Sequence, residues 1–305
     1  MRRIKSFVVS SAAILGLLAP APVFAACDDL CAGETAETSG PALWKVADED
    51  TTIYLFGTVH VLPDGTQWYG PTIDAALESS STLVSELGPM GEWQGEFQRE
   101  MAAKGTLPEG TTLRSLMTAE QQTAYEATLM QIGLPVDAFD KNEPWVANIS
   151  LAVIPLLQQG YKLDQGVEHI LEREAGPDIA RGALETPADQ VGIWDGFTME
   201  QQVDQLMDTL EMLPELKTFI DSMVAEWVEG DPDGLGEILN EPMDEDPAVA
   251  AALLYDRNAR WAVWIDDRLD QPGTVFIAVG AGHLAGKNSV QQYLAARGIR
   301  SMRIQ

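Results

Sequence analysis

The 305-residue chain is poor in the side chains that most often announce a chemistry. It has two cysteines, three histidines, and only 19 lysines and arginines against 47 aspartates and glutamates. Both cysteines, Cys27 and Cys31, lie near the N-terminus, which argues against a thiol nucleophile or a cysteine-rich zinc module in the body of the chain. The shortage of basic residues leaves a formal charge of −28. Such a surface repels phosphate backbones and anionic lipid, so the sequence points away from nucleic acid and from membrane surfaces. There is no Gly-x-x-x-x-Gly-Lys loop, and no Gly-x-Ser-x-Gly elbow of the kind serine hydrolases use. After the first 25 residues no apolar run approaches membrane-spanning length. What is present suits a folded core: 46% of the residues are apolar and 22% charged.

Residues 1–25 read as a secretory signal peptide. Arg2, Arg3 and Lys5 precede an apolar run from Phe7 to Leu18. Pro20 and Pro22 then break it, and Val23 and Ala25 frame a cleavage site near Ala25. The expectation is therefore an exported protein, periplasmic or extracellular. There, Cys27 and Cys31 are candidates for a small disulfide loop; a lipidated Cys27 and a two-cysteine metal site are the alternatives. Residues 26–42 are expected to form a flexible tail and residues 43–305 one domain, and nothing in the sequence fixes an oligomeric state.

Apolar, β-favouring runs over 43–47 and 52–56 flank Asp48-Glu49-Asp50 and suggest a hairpin. Further strands are expected over 82–85, around Ala183 and over 274–279, with a last edge strand over 301–304. Between them lie helical patterns over 71–79, 93–103, 113–132, 136–139, 145–157, 167–173, 199–227, 247–269 and 289–296. This alternation predicts an α/β fold: a mixed, mostly parallel central sheet flanked by helices, with helical insertions between strands.

Two of the three histidines sit in matching contexts. Gly57-Thr58-Val59-His60 and Gly280-Ala281-Gly282-His283 each follow an apolar strand. Gly57 and Gly280 are expected to let the chain leave the strand with unusual dihedrals. Glu86 follows the 82–85 strand, and Glu185 the strand near Ala183. In sheets of this kind the working groups gather at the carboxyl ends of the strands. Two imidazoles and one or two carboxylates would then converge as an open metal site, with positions left for water and substrate. Either glutamate has a structural alternative, Glu86 as a turn cap or arginine partner and Glu185 in a loop hydrogen bond. His169 shares a helix face with Glu172 and reads as solvated surface. Trp261 reads as core.

Residues 54–63, 85–87, 166–168, 184–186, 257–258 and 279–286 together resemble the TraB/GumN family. That family includes the Tiki metalloproteases and shares a broader fold with erythromycin esterases and the haem-binding ChaN proteins. The resemblance implies that His60 and His283 are the motif histidines and Glu86 the acid after the second strand, and it brings Arg257 into the site. Where many members carry Asp after Gly-Val, this chain has Glu168. The implied function is that of an exported metal-dependent hydrolase, a peptidase, acting on a peptide or small molecule. A divalent ion (Mn, Co or Zn) on His60, Glu86 and His283 would lower the pKa of bound water. Glu185 or Glu168 would serve as general base and Arg257 would face the oxyanion. Two rivals accompany this reading: hydrolysis of an ester or lactone by His and Glu without metal, and uptake of haem or another ligand without turnover.

Overall fold

In the computed structural model, which describes residues 40–305, the hairpin around Asp48-Glu49-Asp50 seeds the sheet. Strand β1 (Leu43–Ala47) pairs antiparallel with β2 (Thr51–Thr58). The turn is tight because the Asp48 carboxylate accepts from the backbone N–H groups of Asp50 and Thr51, at 3.1 and 2.8 Å. The other strands are β3 (Leu62–Pro63), β4 (Thr82–Ser85), β5 (Tyr161–Lys162), β6 (Ala180–Ala183), β7 (Gly273–Gly280) and β8 (Ser301–Arg303). Six of them form the main sheet in the order β6-β4-β7-β2-β1-β8, while β3 and β5 form a separate ribbon. β6, β4, β7 and β2 run parallel, and β1 is antiparallel to both of its neighbours. The sheet is thus mixed and mostly parallel, with β8 at one edge.

Alternation along β7 explains how both sheet faces are covered. Val275, Ile277 and Val279 join Ile53, Leu55 and Val84 on one face, beneath Trp261 and Ile265 of the Asp256–Leu269 helix and Leu294 of the Val290–Ala296 helix. Phe276 and Ala278 join Phe56 and Leu83 on the other, against the Pro71–Glu78, Val167–Glu174 and Leu216–Glu229 helices. A strand buried on both sides reads as a continuous apolar run, and β7 does. Two further cores lie among the helical insertions. One gathers Trp145, Val191 and Trp194, the other Tyr125, Leu151, Leu206 and Leu210.

Several expected helices are cut differently. The pattern over 113–132 becomes a 3-10 turn at Leu113–Leu116 and a helix at Ala119–Gln131. Thr118 starts the latter by accepting from the Gln121 backbone N–H, while the Gln121 side chain accepts from Thr118. Residues 136–139 are turn, not helix: Pro135 precedes them and the chain closes i→i+3 bonds only. The pattern over 199–227 breaks at Pro214 into Met199–Met212 and Leu216–Glu229. The stretch from Pro247 contains a π-helical segment at Ala251–Tyr255 before Asp256–Leu269.

The predicted signal peptide 1–25, the Cys27/Cys31 pair and residues 26–39 of the predicted tail lie outside the described residues. The last tail residues are held in place, because Pro41 is buried and its carbonyl accepts from the Gln305 side chain at 3.0 Å. No helix among the described residues is long and apolar enough to cross a membrane.

Candidate functional site

Because β6, β4, β7 and β2 are parallel, their carboxyl ends share one edge of the sheet. Glu185, Glu86, His283 and His60 follow those ends in that lateral order. The two histidines nevertheless have different surroundings.

His60 leaves β2 and meets a segment brought from more than 100 residues away. The β3–β5 ribbon pairs Leu62 with Lys162, and the Val167 N–H donates to the Val59 carbonyl at 3.0 Å. Glu168 thereby lies in the first turn of its helix, where the helix dipole favours a negative charge. Its Oε1 is 2.6 Å from His60 Nδ1. Burial alone would push the His60 imidazole down. The Glu168 carboxylate, helped by Glu86, outweighs burial and lifts the pKa from 6.5 to about 9. On Glu168, burial works upward and the cationic partner more strongly downward, so its carboxyl is held below the usual range. The pair is an imidazolium–carboxylate at neutral pH. His60 keeps 38% of its side-chain surface accessible, which leaves Nε2 as the ring nitrogen open for work.

Gly166 makes this junction fit. A Cβ at that position would lie 2.2 Å from the His60 carbonyl oxygen. Gly166→Ala is therefore expected to destabilise the fold by about 1–3 kcal/mol and to draw Glu168 off His60. Urea unfolding is the measurement, and an unchanged midpoint would contradict the close approach.

His283, by contrast, is sealed. Arg257 lies beside it, fully buried, and all five guanidinium N–H groups are engaged. Nε donates to Glu185 Oε1 at 2.7 Å. Nη2 donates to Glu185 Oε2 and to Glu86 Oε2, both at 2.6 Å. Nη1 donates to the Leu253 carbonyl, in the π-helical segment, and to His283 Nε2, both at 3.1 Å. Arginine has no acceptor, so His283 Nε2 must receive that bond as an unprotonated nitrogen. Nδ1 then donates to Asn258 Oδ1, and Trp261 packs against the ring at a 43° tilt with centroids 4.2 Å apart. Gln190 completes the cluster through Nε2, at 3.0 Å from Glu86 and 3.2 Å from Glu185. The Gly280 N–H donates to Glu86 Oε1 at 2.8 Å.

This network does not fit the expected metal set. The nitrogen that His283 would offer an ion faces the Arg257 guanidinium, a fixed cation that donates to His283 Nε2 and to Glu86 Oε2 alike. Among the described residues no group of three or more His, Cys, Asp or Glu side chains is arranged to hold a metal. Arg257 has no donor left for an oxyanion, and its place is that of a strut between two carboxylates. Glu185 bonds Arg257 and Gln190 and does not line the cavity described below, whereas Glu86 does. The glycines also act otherwise than expected. Neither Gly57 nor Gly280 has a positive φ. Gly57 is needed because a Cβ there would come within 3.0 Å of Ala281, and Gly280 supplies the N–H to Glu86.

A cavity of about 300 Å³ opens at this edge, with His60, Glu86, Glu168, His169 and Gln190 as its main polar lining. His169, read as solvated helix surface, belongs to that wall. Gln190 was not legible: it lies one helical turn past the Thr186 cap, in the Pro187–Asp195 helix that sequence periodicity did not mark. Asn258 was visible only as part of the Arg-Asn pair.

The profile of the TraB/PrgY/gumN family matches residues 42–303. An uncharacterized protein of Treponema pallidum (strain Nichols) is 23% identical over 270 residues, covering 83% of this chain and 80% of that protein. No solved structure matches the chain.

Proposed function

The chain belongs to the TraB/PrgY/gumN family, and from that premise we propose that it is an exported hydrolase of ester or amide bonds, with His60 as acid and Glu86 as base. The observation that carries this reading is the His60–Glu168 pair, whose free ring edge lines a preformed cavity. With its pKa raised to about 9 by the Glu168 carboxylate, His60 is mainly cationic at pH 7. That charge favours a donor role over a base role.

Glu168 fixes Nδ1, so Nε2–H is the donor presented to a substrate carbonyl. A charged donor in a largely apolar cavity stabilises the oxygen as it gains charge. Glu86, held by Arg257, Gln190 and the Gly280 N–H, takes a proton from the attacking water as the new C–O bond forms. The bond to the leaving group breaks as His60 Nε2 hands over its proton. The proton on Glu86 then returns to His60, which closes the cycle. Glu86 and His60 line the same cavity, which supports proton return between them through the site.

No step is routed through a metal, because the Arg257 guanidinium donates to His283 Nε2 and to Glu86, two of the three groups an ion would need. The haem reading loses support for a related reason: both His283 ring nitrogens are engaged. Export rests on the sequence of residues 1–25.

The test is hydrolysis of neutral acyl esters and amides followed from pH 5 to 10 in the presence of a chelator. Activity is expected to persist and to fall as pH rises through about 9, where His60 loses its proton. In Glu168→Gln that fall should move down toward 6.5. Loss on chelation with recovery on Mn²⁺, Co²⁺ or Zn²⁺, or an alkaline limb unmoved in Glu168→Gln, would overturn the mechanism.

A further inference from the structure

We propose that the cavity takes a straight apolar acyl chain of about ten non-hydrogen atoms with an uncharged carbonyl head, and rejects the matching carboxylate. This names the substrate class for the hydrolytic reading above and rests on that reading for the position of the carbonyl.

Three features of the cavity lead there. Its walls come from helices and are apolar: Trp93 and Phe97 from Met90–Lys104, Val153 and Leu156 from Pro144–Gln158, and Ile220 and Met223 from Leu216–Glu229. Most of its polar groups are paired, His60 with Glu168 and Gln190 with Glu86, all following the carboxyl ends of the strands or the helices after them. An amphiphilic pocket of this kind suits a ligand with one polar end. The volume of about 300 Å³ is that of roughly ten small groups at about 30 Å³ each.

The charge count selects the head. Glu86 and Glu168 both line the cavity. Behind them Arg257 bridges Glu86 and Glu185, and Arg260 also pairs with Glu185 at 3.8 Å. The charges on the lining itself, Glu86, Glu168 and His60, sum to a negative value whether or not His60 carries its proton. A carboxylate would be repelled, and a neutral ester or amide carbonyl would not. The same sign expels the acid product after hydrolysis. Leu163 marks the rim: it lines the cavity and stays 50% exposed, an apolar side chain that ligand binding would cover.

Binding is measured apart from turnover, by calorimetry of acetamide, hexanamide, octanamide and dodecanamide on the full chain and on its His60→Gln variant. Affinity should tighten about fourfold per methylene up to octanamide, which has ten non-hydrogen atoms, and then level off. Octanoate should bind at least tenfold more weakly than octanamide. Leu163→Asp, at a half-exposed position where folding is not at risk, should weaken octanamide at least tenfold. A flat chain-length series, equal binding of octanoate, or an indifferent Leu163→Asp each overturns the proposal. Chain-length-dependent binding with no hydrolysis of octanoyl esters would remove the hydrolytic reading and leave this one. Hydrolysis of acetyl and octanoyl esters with equal efficiency would do the reverse.

Discussion

Arg257→Leu is expected to lower the unfolding free energy by about 3–5 kcal/mol. The loss comes from what the arginine leaves behind. Glu86 and Glu185 are only 8% and 7% exposed, and each takes charged donors from Arg257 that leucine cannot replace. Gln190, the Gly280 N–H on Glu86 and the half-exposed Arg260 at 3.8 Å from Glu185 remain, but they do not replace the close charged donors that each carboxylate loses. His283 would also lose the donor to Nε2, and the Leu253 carbonyl its partner in the π-helical segment. Urea unfolding at pH 7 measures the effect. Adding Glu86→Gln and Glu185→Gln to Arg257→Leu should recover part of the loss, because the stranded charges are then gone. A cost below about 1 kcal/mol, or no recovery in the triple variant, would mean that the arginine does not hold this cluster together.

His60→Gln should lower kcat/KM by about 10²–10⁴-fold at pH 7, the usual contribution of a positioned proton donor. Glutamine can still offer an N–H near Glu168 but carries no charge and cannot deliver a proton. The folded state responds too, and the direction follows from the raised pKa. A group whose pKa rises from 6.5 to about 9 on folding contributes stability in full below pH 6.5, and loses it as pH climbs to 9. Wild-type protein should therefore lose stability across that window, while His60→Gln should be flat there. The two measurements separate chemistry from folding. A variant that keeps wild-type kcat/KM on an ester the protein hydrolyses would remove His60 from the reaction.

Much of the frame was legible in the sequence. β7 is apolar on both faces because both faces are covered, and its run of Val275, Phe276, Ile277 and Val279 advertises that. The Asp48-Glu49-Asp50 turn is written in residues that satisfy their own backbone. Placing Glu86, Glu185, His60 and His283 near one edge followed from strand direction alone. The helix boundaries were less visible at Thr118 and Pro214, where one capping residue or one missing N–H outweighs an unbroken apolar period.

The sequence by itself determined the class of sheet, the acidic surface, and the short list of side chains from which a site is built. Only the tertiary structure decided what those side chains do. Spacing brings His60 and His283 to neighbouring strand ends in matching motifs, but it does not count hydrogen bonds. The Glu168 carboxylate, arriving through a ribbon from another part of the chain, makes His60 a charged donor open to a cavity. The five donors of Arg257, matched by five acceptors, make His283 a closed acceptor behind it. A buried donor must find its partner in three dimensions, and that requirement separates two histidines that their local sequences make look alike.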